Sequence, residues 1–173
     1  MANSWTLNVQ ANVFAVGKNM WGILNGGARV LRVARIGLLN NQTAGVTGVA
    51  ALMEIRKNSA TTTWTPTAVA PVAHDSANSA LVSVSTGHTG TIAGGASVTL
   101  RRIFWSSDEP SISTATSDEL ECFVPLNIIW DAGYGDVDVQ KLTVRTGEAV
   151  TIYNTVGAVG LVDVWGEFTD SAT

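Results

Sequence analysis

Apolar residues recur at every second position over most of this chain, and a spacing of two fits a pleated strand with one buried face. The C-terminal third shows it most clearly. Leu142 and Val144 lead into Thr146-Gly147-Glu148, and Val150 and Ile152 resume the same parity. After a bend from Asn154 to Gly160, Val162, Val164 and Phe168 alternate with Asp163, Trp165 and Glu167. This pattern predicts a three-strand antiparallel meander with short connections over 142–168. Alternation also marks Val49 to Ile55, Val82 and Val84, Val98 to Phe104, and Leu120 to Leu126, with weaker strands at Trp5–Val9 and Val13–Val16. Around 48–57 a helix is an alternative, because Ala, Leu, Met and Glu are good helix formers. From Arg29 to Leu39 both parities are largely apolar apart from three arginines. That predicts a strand buried on both faces, in the middle of a sandwich or against another subunit.

Twenty-one Val and twenty Thr suit a pleated surface. Loops rich in Gly, Ser, Thr, Asn and Pro separate the strands, and the longest, near 58–78, holds Trp64, Pro66 and Pro71. So many strands in one chain must close or stack to hide their edges. The expected fold is therefore all-β, an antiparallel two-sheet β-sandwich of jelly-roll type, with a barrel as the alternative. One domain spanning 1–173 fits the length.

Charged residues make up 14% of the chain, against roughly 25% in an ordinary soluble domain. A surface so poor in charge predicts that part of it is covered by a partner, in the first place by copies of the same chain. Residues 1–57 carry six basic groups and one acid, Glu54, whereas the remainder carries four basic groups and thirteen acids. That asymmetry can give neighbouring subunits complementary faces, or vanish when the two halves mix on folding. Arg29, Arg32 and Arg35 form the one basic cluster, with Arg32 of opposite parity to the other two on a regular strand. A pI near 5.0 and three split arginines do not make a nucleic-acid face. Contact with acids across an oligomer interface is the better use for them. No run reaches the roughly 20 apolar residues of a membrane helix, and no signal peptide opens the chain, so synthesis in a cytoplasm is expected. Cys122, the sole cysteine, excludes an internal disulfide and is expected in the core.

Little points to catalysis. His74-Asp75-Ser76 holds the residue types of a hydrolase triad, but consecutive residues cannot assemble its geometry, and no G-x-S-x-G elbow accompanies them. Two histidines and one cysteine offer few zinc ligands. Asp131, Asp136 and Asp138 lack the spacing of a calcium-binding loop. Paired carboxylates for glycoside hydrolysis have no local signature. No enzyme activity and no cofactor are expected. Six tryptophans (Trp5, Trp21, Trp64, Trp105, Trp130, Trp165) could form a sugar-binding platform, although large aromatics more often fill cores and subunit contacts. Trp5 and Trp21, with Arg29, Arg32 and Arg35, make up the expected interface with other copies of the chain or with a protein partner.

Four phrases carry a resemblance: Leu31-Arg32-Val33-Ala34-Arg35-Ile36, Val72-Ala73-His74-Asp75-Ser76-Ala77-Asn78, Phe104-Trp105-Ser106-Ser107-Asp108-Glu109-Pro110 and Val144-Arg145-Thr146-Gly147-Glu148-Ala149-Val150. Spread over most of the chain, they resemble small structural proteins encoded beside the head genes of tailed phages, of the capsid decoration or cement type. The resemblance implies a β-sandwich, a homotrimer, a place on the virion's outer capsid surface, and the major capsid protein as partner. It is equally compatible with a head-fibre base, a tail component or a minor capsid protein. A carbohydrate-binding module or a receptor-binding component is the alternative function.

Overall fold

The computed structural model describes residues 3–41, 49–59, 63–90, 92–93, 95–107, 126–132, 140–156 and 160–171. Every element among them is a strand. In chain order these are β1 (Asn3–Val13), β2 (Lys18–Asn25), β3 (Val30–Asn40), β4 (Val49–Asn58), β5 (Thr63–Trp64), β6 (Thr67–Ala68), β7 (Val72–Ala73), β8 (Val84–His88), β9 (Ile92–Ala93), β10 (Ser97–Ser107), β11 (Leu126–Asp131), β12 (Leu142–Val144), β13 (Glu148–Val156) and β14 (Leu161–Ser171). No helix among the described residues is long and apolar enough to cross a membrane.

Two antiparallel sheets pack face to face. The first has the order β11-β3-β14-β1-β7, with β12 continuing along β3, and the second has the order β10-β4-β13-β2-β8-β6. Their central strands, β1-β14-β3-β11 and β2-β13-β4-β10, are the interleaved pairs of a jelly roll, in which early and late strands lie side by side. The expected sandwich is therefore the observed one. Helix-forming residues at 49–58 give way to strand β4, because Ala51, Met53 and Ile55 alternate into the core between two neighbouring strands.

The meander expected at 142–168 is corrected. Leu142, Val144, Val150, Ile152, Val162, Val164 and Phe168 are all buried as their alternation requires. Yet β12 and β14 pair with β3 in the first sheet, while β13 pairs with β2 and β4 in the second. Alternation identifies which face of a strand is buried and carries no information on which strand lies beside it. The turn between β12 and β13 stands as read: Glu148 N donates to Arg145 O at 2.9 Å, and Gly147 takes a φ of 76° that favours glycine.

Strand β3 lies between β14 and β11 in the first sheet. Its double-parity burial comes from a bulge: Val33 pairs with Phe168 and Arg35 with Glu167, which leaves Ala34 as the extra residue. Leu31 and Val33 point inward before it, and Ile36 and Leu38 after it. A one-residue insertion exchanges the faces.

Trp21 holds the two sheets together. It is fully buried, and its Nε1 donates across the core to the Leu7 carbonyl at 3.2 Å. Its indole lies against Gly166 of the opposite sheet, where any Cβ would strike the ring. The segment between β4 and β10 is an addition to the eight-strand frame. Its β7 pairs with β1, its β8 with β2, so it caps the edge that these two strands would otherwise present to solvent.

Candidate functional site

The structure places the five expected interface residues in three settings. Trp21 and Trp5 are both buried, Trp21 completely, so neither offers a surface to a partner, and the expectation for them is corrected. Both point into the gap between the sheets, where a large aromatic excludes most water. Arg32 and Arg35 share the outer face of the first sheet, because the bulge at Ala34 cancels their opposite parity. Arg32 bonds the Ser171 hydroxyl, and Arg35 pairs with Asp131 at 3.2 Å. Arg29 lies before β3 and bonds the buried Asp170 carboxylate at 2.7 Å. All three arginines thus meet partners within their own chain. Asp131 is spent on that pairing, while Asp136, Asp138 and Cys122 lie outside the described residues. Among the described residues no cluster of three or more His, Cys, Asp or Glu could hold a metal ion.

His74-Asp75-Ser76 is a surface turn. Asp75 Oδ1 accepts from Ala77 N and its carbonyl from Asn78 N, while His74 Nε2 meets the Thr6 hydroxyl at 2.7 Å. His88, in β8, is partly buried with its Nδ1 lacking a partner among the described residues. That burial holds its pKa below the ordinary histidine value of 6.5.

Two features went unread in the sequence. The first is an apolar end. The turn from Phe14 to Gly17 is tied to Gly160, just before β14, by Phe14 N to Gly160 O, and to β13 by Gly17 N to Asn154 O. At that end Val13, Val16 and Val156 are all more than half exposed. Across the outer face of the second sheet Val156 stands beside Leu52, and Leu52 beside Phe104, which is 69% exposed. Isolated exposed valines are ordinary, whereas Val156, Leu52 and Phe104 form a continuous apolar row across three strands.

The second is a polar trough on the same sheet's outer face. Glu54 projects there from β4, beneath Arg56 and Arg102, and is almost fully buried. Burial pushes its carboxyl up, but hydrogen bonds from Arg56, Thr99 and Arg102 and the Arg56 charge outweigh that, so the net pKa lies below its ordinary value. The Arg56 guanidinium lies 3.6 Å above the Tyr153 ring. Beside them the β5–β9 ribbon rests on the sheet, with the Trp64 ring over Gly22 and its Nε1 donating to the Thr89 carbonyl at 2.9 Å. Signals for this arrangement exist in the sequence as two Trp-Gly pairs, Trp21-Gly22 and Trp165-Gly166. In each the tryptophan and the glycine face opposite ways, so one ring is buried or laid down where the next residue receives another ring. No protein-family model matches the chain, and comparisons with curated proteins and with solved structures find no match.

Proposed function

We propose that this chain is a non-enzymatic virion structural protein, a capsid decoration protein that binds a phage head as a homo-oligomer through protein–protein contacts. The apolar end formed by Val13, Val16, Val156 and Phe104 is the observation that carries this reading. Such a patch is stable in water only at a cost, which burial against another protein surface removes. Jelly rolls serve in capsids and in lectins, so the fold agrees with the reading without deciding it. The low charge content and the phrase-level resemblance to head-gene products support it too, and the trimeric state comes from that resemblance alone. In this arrangement the apolar end joins the copies of the homo-oligomer, the assembled oligomer meets the major capsid protein, and binding stiffens the shell without any chemistry.

The test mixes the purified protein with undecorated capsids and measures bound copies and shell melting temperature. Saturable binding that raises the melting temperature, and that is lost in Val16→Asp combined with Phe104→Asp, is expected. Undiminished binding by that variant, or no binding by the parent, would overturn the reading.

A further inference from the structure

We infer that the trough on the second sheet is a binding site for a single sugar residue carrying a carboxylate, separate from the apolar end. It forms a notch of about 180 Å³ lined by Asn19, Asn58, Thr151, Arg56, Tyr153 and, from the β5–β9 ribbon, Ile92. That is below the roughly 300–1,000 Å³ of drug-sized pockets, and suits one ring.

The lining is polar and its capacity is unspent. Asn19, Asn58 and Thr151 are each more than nine-tenths buried, and buried polar groups are ordinarily hydrogen-bonded. Asn19 donates to the Gly90 carbonyl at 3.2 Å. Among the described residues, neither the Asn58 amide nor the Thr151 hydroxyl finds a side-chain hydrogen-bond partner. An amide and a hydroxyl each donate and accept, which matches neighbouring ring hydroxyls better than it matches a phosphate or a wholly apolar ligand. Ile92 supplies the apolar wall for the C–H edge of a ring.

Charge selects the acid. One carboxylate, Glu54, accepts from two guanidiniums, Arg56 and Arg102, so the cluster keeps one surplus positive charge. Arg56 spends Nε and Nη2 on Glu54, and its plane is fixed by Tyr153 beneath it. A pre-oriented guanidinium at the notch favours a carboxylate.

The site draws its residues from β2, β4, β13 and, through Ser97, β10, with the ribbon placed by Trp64 on Gly22. Titration of the isotope-labelled protein with glucuronate, glucose and acetate, followed by amide shifts, tests it. Glucuronate is expected to saturate below about 10 mM with shifts at 56–58, 97–99 and 151–153, and glucose to bind more weakly. Thr151→Val, which keeps the shape and removes the hydroxyl, should weaken glucuronate roughly threefold to tenfold with an unchanged melting temperature. Arg56→Gln should weaken it roughly tenfold or more. Absence of saturation, equal binding of glucose, the same shifts with acetate, or an unaffected Thr151→Val variant would each overturn the proposal.

Discussion

The outer faces of the two sheets are built on the same device and end up different. On each, a tryptophan ring lies over a glycine of a neighbouring strand: Trp165 on Gly37 in the first sheet, Trp64 on Gly22 in the second. Trp165 belongs to the sheet that it covers. Its surroundings are rungs of the same sheet, such as Thr6, Glu167, Arg35 and Asp131 side by side, which pair with one another across the strands. Trp64 belongs to the added segment and brings a ribbon with it, leaving a notch where the ribbon meets the sheet. The regular face lines its charged groups up across neighbouring strands, whereas the face met by an insertion gains a concave edge, and binding sites arise at such junctions.

The largest expected effect lies beneath both faces. Trp21→Ala removes the ring that fills the core against Gly166 and the hydrogen bond to Leu7. A loss of about 3–5 kcal/mol is expected, enough to unfold a marginal domain, and urea denaturation measures it.

The two outer glycines sharpen the contrast. A Cβ at Gly37 would stand 2.5 Å from the Trp165 ring, and one at Gly22 would stand 2.7 Å from Thr151 Cγ2 and 2.9 Å from Trp64. Each alanine variant should cost about 1–3 kcal/mol. The difference lies in what moves. Gly37→Ala should displace Trp165 alone, whereas Gly22→Ala should lift the ribbon and speed amide exchange at 63–64 and 92–93. Equal exchange at the ribbon in both variants would remove the distinction.

Acid should act on the second sheet in two steps. His88 has a lowered pKa, so as pH falls below about 6.5 the unfolded chain takes up its proton first and the native state loses stability. Glu54 also has a lowered pKa. Its contribution is complete above the ordinary value of 4.5 and is lost as pH falls through that value towards the lower native one. In urea titrations across pH, His88→Gln should flatten the first step alone. Glu54→Gln should flatten the second and weaken the protein at neutral pH, since Arg56 and Arg102 lose their shared negative charge and one of its two acceptor oxygens. Smallest of all is Arg32→Glu on the first sheet, within about 1 kcal/mol for a partly exposed group. Its effect should shrink in salt, as thermal melts at two ionic strengths would show.

How much of this was legible varies with the length of the pattern. In β12, β13 and β14 every alternating apolar position is where the sequence placed it. In β10, by contrast, the alternating Val98, Leu100 and Phe104 are exposed, because alternation shows that two faces differ and not which of them a second sheet covers. Strand partners were illegible, because Leu142 and Val150 look alike whether their strands share a sheet or oppose one another. A bulge is one residue long, so Ala34 gave no warning that Arg32 and Arg35 would share a face. Strands of two residues, as in β5 to β7 and β9, are too short for any period. The notch was hidden for another reason, since Asn19, Asn58, Ile92 and Thr151 converge from distant parts of the chain and none stands out alone. Trp5 and Trp21 were placed at an interface because composition registers an aromatic without its direction.

A molecule that works by association through its apolar end should show it in sedimentation velocity at micromolar concentration. The parent is expected to sediment as an oligomer, and a Val16→Asp, Phe104→Asp variant as a monomer with an unchanged melting temperature. A parent that stays monomeric throughout, or a variant that keeps the parent's oligomeric state, would contradict that mode of association.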